Sequence, residues 1–473
     1  MAVLSLGPVF SHILIVLVAM LNICILSYDA GMINNLNAVK PYNDYFNLNS
    51  DLIGLNVAII SAGSVLGAPV VGPAVDRWGR KMGLAAGSIC IIVGVILQAS
   101  ASAVPQLIVG RFIIGFASLV NGSIAPMWVM ELASPKHRTI CSSTVLVSVP
   151  FTSFLVACIV LGIFDKDSNW VWRGIMLATE ILARLHADGD VHNVEVLTEA
   201  QEIVASLNQE KDGQGAWREL ITPASNMKRF TIAVLTNIFY QILGGNMILY
   251  FSSYIISSLG VSSRRSIITI NIALLLWKAF CSILGVFLID RVGARKPLLA
   301  GTSATVILFG LLSGLSHLTE VHPDTNSYAI GSIVVVALFL LAVSTSWMIL
   351  AYTYPPEILR YSQRAKGVVV AQAIGYAFSF LNLYTAPLAI ERISWRYYAI
   401  NGGWNLGILA VVYCLFVETK GRTLEEIDEV FDGVVYSNDV IIDAQGSKGT
   451  LEQDGEDNKS LTKRKLRKVD SAN

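Results

Sequence analysis

The chain has 473 residues, of which 54% are hydrophobic and 14% are charged, and its formal net charge is zero. Average soluble proteins carry about 25% charged residues, so this composition indicates a membrane protein. The balanced charge gives no reason to expect a nucleic-acid partner. The six cysteines have neither CxxC spacing nor a histidine cluster beside them, so the sequence predicts no metal site.

Apolar segments long enough to cross a hydrocarbon core of about 30 Å as helices recur along the chain. They form a group of five and then a group of six. The segments cover residues 9–34, 52–74, 83–103, 107–129 and 140–163, and then 230–259, 266–289, 297–317, 328–353, 366–389 and 395–417. The sequence therefore predicts an all-α membrane bundle of about 11 transmembrane helices.

The two groups of segments repeat each other in their loops. Residues 76–81, DRWGRK, follow the second segment of the first group, and residues 290–296, DRVGARK, follow the second segment of the later group. After the fourth segment of each group, a glutamate precedes an arginine by seven residues: Glu131 and Arg138, then Glu357 and Arg364. These repeats predict two pseudo-repeat halves with the substrate site between them near the midplane.

The domain organisation follows from the same pattern. We predict an N-terminal half over 1–180, a cytoplasmic amphipathic linker over 181–229, a C-terminal half over 230–418 and a mostly disordered tail over 419–473. Basic residues collect in alternate loops, which places those loops and the C-terminus in the cytoplasm. After Trp170 the apolar stretch ends at Ala178 and is too short to span, so the first half lacks a sixth helix.

These motifs, together with Gly110-Arg111, Pro355-Pro356-Glu357 and the stretch VETKGR at 417–422, resemble the sugar porter family of the major facilitator superfamily. In particular they resemble fungal lactose and cellodextrin permease-like hexose transporters. The resemblance implies a sugar transporter, which we expect to be a monomer in the plasma membrane. The few His and Ser residues form no nucleophile–base arrangement, so we expect no enzymatic activity. It also implies charged gating residues that pair across helix ends when the inner gate is shut: Asp76, Arg77, Arg80, Glu131, Arg138, Asp290, Arg291, Arg295, Glu357, Arg364 and Glu418.

Asp29 lies inside the first apolar segment, where an unpaired carboxylate is costly and must be paired, hydrated or protonated. The resemblance gives it Arg111 as a partner, which would hold Asp29 ionised in one state and release it for protonation in the other. We therefore predict proton symport through this pair, with the proton as coupling ion and no other cofactor. The alternative is a structural ion pair between two helices.

The resemblance also implies sugar contacts in the C-terminal half. Gln241, Asn246 and Tyr250 match a QxxGxNxxxY-like stretch, and side-chain amides suit hydroxyls because they both donate and accept. Asn382 resembles a further sugar-contacting position. Trp347 could offer a flat apolar face to a pyranose ring, with core packing as the alternative.

Two departures from the family pattern affect the functional prediction. A stretch that includes the sixth helix is absent between Ala178 and Ile181, which a splice variant or gene-model error would explain. Lys278 stands where the family has a sugar-binding asparagine, so it either redirects specificity toward an acidic sugar or marks a site released from function. A non-transporting sugar sensor and an inactive transporter variant are therefore the alternatives to sugar transport.

Overall fold

A computed structural model describes residues 40–132, 138–163, 224–258, 263–322 and 326–420, residues 220, 222 and 431, and isolated helical positions between 16 and 36. These ranges contain helices and no strand, which confirms the predicted all-α class. The helices are α1 (Lys40–Phe46), α2 (Ser50–Ala99), α3 (Val104–Leu132), α4 (Arg138–Ile163), α5 (Ala224–Ile242), α6 (Gly245–Ser258), α7 (Arg264–Val292), α8 (Arg295–Val321), α9 (Asn326–Ser344), α10 (Trp347–Ile358), α11 (Tyr361–Ile393) and α12 (Trp395–Leu415).

Ten stretches of the described helices are long and apolar enough to cross a membrane. They correspond to the predicted segments from 52–74 onward, and the predicted segment 9–34 is described only at isolated positions. The region between Ala178 and Ile181 lies outside the described residues, as does most of the linker. The absence of a sixth helix and the exact domain boundaries therefore stay predictions.

Helix α2 holds two spans that lie side by side. A straight helix would separate Gly63 from Gly94 by about 46 Å, at 1.5 Å per residue. Both glycines nevertheless pack against the same short stretch of α3. Gly63 contacts Phe112, and Gly94 contacts Gly110. The chain must therefore reverse between them, which agrees with the two separate segments that the sequence predicts.

Two other predicted segments are each divided into two helices. The span Ala224–Ser257 contains α5 and α6, and the span Ser327–Ile358 contains α9 and α10. An interrupted helix inside a membrane exposes backbone groups that other parts of the protein must satisfy. Such breaks in transporters are commonly found at substrate sites.

The two halves meet along two helix pairs, α2 with α11 and α4 with α7. In the first pair, the Ser61 hydroxyl donates to the Ser379 hydroxyl at 3.2 Å. A second contact between the halves joins α3 to α11, where the Ser123 hydroxyl donates to Gln372 Oε1 at 2.5 Å. These bonds join uncharged side chains across the interface between the halves.

Helix α7 shows how the sequence orients a helix in this bundle. Its buried face repeats every three or four residues, through Asn271, Leu274, Lys278 and Ser282. Its exposed face carries large apolar side chains such as Phe280 and Phe287. This arrangement reverses that of a soluble protein, because the exposed face meets lipid tails while polar side chains face the interior.

Candidate transport site

Asp29 and Arg111 form a buried ion pair in the N-terminal half, the pairing that the family resemblance implies. Arg111 lies on α3 and has no exposed surface, and Asp29 is 3% exposed. The Arg111 Nη2 atom lies 3.6 Å from Asp29 Oδ2. The Gln98 amide, near the end of α2, donates to Asp29 Oδ1 at 3.3 Å. Gln98 thus adds a third group that the sequence analysis did not identify.

The ion pair is loosely engaged. Among the described residues, no acceptor lies within hydrogen-bonding distance of Arg111 Nε, Nη1 or Nη2, and no donor reaches Asp29 Oδ2. A buried guanidinium with unsatisfied donors is costly, and its attraction to the carboxylate offsets only part of that cost. A small approach of the two side chains would therefore form hydrogen bonds that are not made at 3.6 Å.

Tyr42 of α1 lies beside this pair. Its buried hydroxyl accepts a 2.8 Å hydrogen bond from the Asn56 amide. Burial raises the pKa of Tyr42 to about 12, so the hydroxyl stays neutral at physiological pH. Tyr42 is thus a neutral, buried phenol in the neighbourhood of the charged pair.

The break between α5 and α6 is built around Gly244, whose φ of +103° suits glycine because it has no Cβ. Ending α5 at Ile242 leaves carbonyl groups without helical partners. Three side chains donate hydrogen bonds to backbone carbonyls at the break. Asn382 donates to the Gln241 carbonyl at 2.8 Å, Trp404 to the Ile242 carbonyl at 3.1 Å and Asn405 to the Leu243 carbonyl at 3.2 Å. Helices α11 and α12 thereby stabilise the break.

Gln241 and Asn246 lie on opposite sides of this break, and the Asn246 amide donates to Gln241 Oε1. They are therefore brought together across an interruption and not, as the spacing predicts, on one continuous helical stripe. Among the described residues, Gln241 Nε2 has no acceptor and Asn246 Oδ1 has no donor. One free donor and one free acceptor remain side by side, which is what a sugar hydroxyl requires.

Four tyrosines from four helices surround the same region. They are Tyr240 on α5, Tyr250 on α6, Tyr352 on α10 and Tyr376 on α11, and each is partly exposed inside the bundle. The ring centroids of Tyr240 and Tyr352 lie 5.9 Å apart. Only Tyr250 was identified from sequence, since isolated tyrosines in apolar segments carry no spacing signal.

Trp347 occupies a packed aromatic cluster at the start of α10. It has no exposed surface, and its indole N–H donates to the Thr302 hydroxyl at 2.9 Å. Its ring centroid lies 6.3 Å from that of Phe239 and 6.4 Å from that of Phe416. This environment favours the packing alternative, and a sugar contact by Trp347 stays a prediction.

Lys278 lies near the middle of α7 and is 5% exposed. No described carboxylate forms an ion pair with its ammonium group. Asn271, on the same face, donates to Asn35 Oδ1 at 2.9 Å and accepts from the Ser252 hydroxyl at 2.7 Å. This polar chain links the N-terminal segment, α7 and α6, and the sequence analysis did not identify it.

The predicted gating residues of the C-terminal half cluster at one end of the bundle, within that half. Glu418 accepts hydrogen bonds from the backbone N–H groups of Ala294, at 2.9 Å, and Arg295, at 3.2 Å, and so caps the start of α8. The Thr419 hydroxyl donates to Glu357 Oε2 at 2.9 Å. The Arg295 guanidinium donates to the Tyr413 carbonyl at 2.7 Å. These contacts connect the loop before α8, the end of α10 and the segment after α12.

The gating role, in which these residues pair across helix ends when the inner gate is shut, stays a prediction. Asp290 and Arg291 are exposed. The side chains of the N-terminal gating residues lie outside the described residues: Asp76, Arg77, Arg80, Glu131 and Arg138.

Comparison with solved structures identifies the fold. The fold matches that of the "MFS (major facilitator superfamily) proton:xylose symporter XylE bound to 6-bromo-6-deoxy-D-glucose", with a TM-score of 0.76 and 20% identity. The match covers 90% of this chain and 100% of the other. The chain therefore shares the multi-pass helical fold of this symporter.

Comparison of sequences gives the family. The family model described as "Sugar (and other) transporter" matches residues 14–189 and 176–431, so the chain belongs to this family. A high-affinity glucose transporter of Kluyveromyces lactis is 27% identical, with 85% of this chain and 82% of the relative covered. The high-affinity glucose transporter 1 of Candida albicans is 26% identical over 86% of this chain and 83% of the relative.

Proposed function

We propose that the chain is a proton-coupled sugar transporter that works by alternating access in the plasma membrane, with its C-terminus in the cytoplasm. The observation that carries the proposal is the loosely engaged Asp29–Arg111 pair, together with the Asn35–Asn271–Ser252 polar chain. This chain links the segment that carries Asp29 to the helix that carries Asn246, so a candidate proton site in one half is connected to a candidate hydroxyl-binding site in the other. The names of the glucose and xylose transporters among its relatives support a monosaccharide-sized substrate.

Coupling follows from charge. While Asp29 is ionised, it holds Arg111, and while Asp29 is protonated, Arg111 loses the attraction of a full negative charge. The two protonation states thus stabilise different positions of the N-terminal segment and α3. Because the halves meet through small contacts such as Ser61–Ser379, a shift of this kind biases which side of the bundle is open.

Transport by purified protein in proteoliposomes tests the proposal. An acidic exterior should drive accumulation of a labelled monosaccharide by the wild-type protein. Asp29→Asn should abolish this accumulation but retain exchange between labelled and unlabelled sugar, because exchange needs no net proton movement. Asp44→Asn, at an exposed carboxylate of α1, is the matched control and should behave as wild type.

The outcome separates the proposal from its alternatives. Undiminished pH-driven accumulation by Asp29→Asn would contradict the proton role and leave the structural ion pair. Sugar binding without exchange or accumulation would indicate a sensor. Absence of both binding and exchange would indicate an inactive variant, for which the predicted missing helix gives a reason.

A further inference from the structure

The buried charges of the described bundle are unbalanced. Four charged residues are less than a tenth exposed: Asp29, Arg111, Arg229 and Lys278. One carboxylate therefore stands against three cations, and Arg111 already engages it. Arg229 lies at the charged end of the bundle, where it donates to the Ile358 carbonyl and covers the Phe431 ring. Lys278, in the middle of a span, has no compensating carboxylate among the residues that the structure describes.

No acid of α7 can compensate Lys278. Asp290 lies twelve residues further along the helix, or about 18 Å, and is exposed. An ammonium group at this depth is costly unless an anion or water accompanies it. A substrate anion would provide compensation in the loaded state and leave the site again on release.

The helix register places Lys278 on the same side of the Ser252–Asn271 hydrogen bond as the free amides. Helices α6 and α7 belong to consecutive spans and run in opposite directions, and Ser252 bonds to Asn271 across them. Asn246 precedes Ser252 by six residues on α6, which is kinked at Phe251, and Lys278 follows Asn271 by seven residues, or about 10 Å, on α7. Because the helices are antiparallel, both steps lead from the hydrogen bond toward the helix break.

Lys278 also points to the same side as Asn271. Seven residues bring the helix round to within about 20° of the starting direction. Asn271 reaches Asn35 of the N-terminal segment, so this face of α7 is directed toward the other half. Lys278 therefore lies on the face where a substrate would be held between the halves.

We infer that the transported substrate is a sugar acid, whose carboxylate pairs with the Lys278 ammonium while its hydroxyls bind the Gln241 and Asn246 amides. This inference rests on the proposed sugar transport and narrows its substrate class. It predicts electroneutral transport, because a monoanionic sugar and one proton that move together carry no net charge. Uptake should then respond to a pH gradient and not to the membrane potential.

The test compares D-glucuronate, D-galacturonate and D-glucose as substrates of proteoliposomes. Wild-type protein should take up at least one uronate at least 10-fold faster than D-glucose, with the same rate at any imposed potassium diffusion potential. Lys278→Met should lower uronate uptake at least 10-fold, and Lys278→Arg should retain most of it. Lys228→Met, at an exposed lysine of α5, is the matched control and should leave uptake unchanged. A monodisperse size-exclusion profile shows that each variant has folded.

Three outcomes would overturn the inference. Uptake of D-glucose with neither uptake of, nor competition by, either uronate would reject the sugar acid and leave the proposed function intact. Uronate uptake that survives in a folded Lys278→Met variant, or that is lost in a folded Lys278→Arg variant, would reject the role of the ammonium group. Failure to transport any of the three sugars would reject both the inference and the proposed function.

Discussion

Glu418 provides a sharp prediction because the structure and the family resemblance give it different roles. Its two carboxylate oxygens each accept one backbone N–H at the start of α8, from Ala294 and from Arg295. The first N–H groups of a helix have no partner within it, and a carboxylate there also gains from the helix dipole. We therefore expect Glu418 to stabilise the C-terminal half in every conformational state.

Glu418→Gln keeps the shape of the side chain and removes one of its two acceptor oxygens together with the charge. A hydrogen bond to a charged group contributes about 1.5–3 kcal/mol. Since Glu418 is half-exposed, water can replace part of the loss, and we expect a cost near the lower value. Equilibrium unfolding by urea in lipid–detergent micelles measures it, and Glu391→Gln, at an exposed carboxylate ending α11, is the matched control.

A latch that forms in only one state would behave differently. Its loss would shift the ratio of inward-facing to outward-facing protein, measured by accessibility of engineered cysteines, with little change in the free energy of unfolding. That result for Glu418→Gln would refute the capping role.

Three further substitutions test the packing around the site. Gly293→Ala should destabilise the protein by more than about 1 kcal/mol, because φ is +95° and a Cβ would lie 2.4 Å from Glu418 Oε1. Asn405→Leu should cost about 1–3 kcal/mol by leaving a buried carbonyl at the α5–α6 break without its donor, and should slow transport. Trp347→Phe should cost about 1 kcal/mol through loss of the bond to Thr302, and leave the sugar KM unchanged.

A specific result would contradict each of these three predictions. Wild-type stability of Gly293→Ala would mean that the loop before α8 tolerates another backbone conformation. Unchanged transport by Asn405→Leu would separate the helix break from function. A raised KM with unchanged stability in Trp347→Phe would restore the sugar contact that the sequence suggests.

The local sequence by itself determined the class of the protein and most of its helices. Helix length and apolarity are local properties in a membrane, because each helix satisfies its own backbone and needs only about 20 apolar residues to span. Ten of the predicted segments are confirmed as spans for this reason. The repeated loop motifs and the family model then agree on a sugar (and other) transporter.

Only the tertiary structure decided how the polar side chains are used. The sequence predicts Gln241 and Asn246 on one helical stripe, but their contact depends on a break that Asn382, Trp404 and Asn405 stabilise from distant helices. The pairing of Asp29 with Arg111 could be predicted through the resemblance, but Gln98 could not. A hydrogen bond between helices far apart in sequence leaves no periodic signal, because its geometry is set by packing. The inference on Lys278 needs both the sequence and the fold. Its charge follows from the sequence, but only the fold shows that no described carboxylate pairs with it.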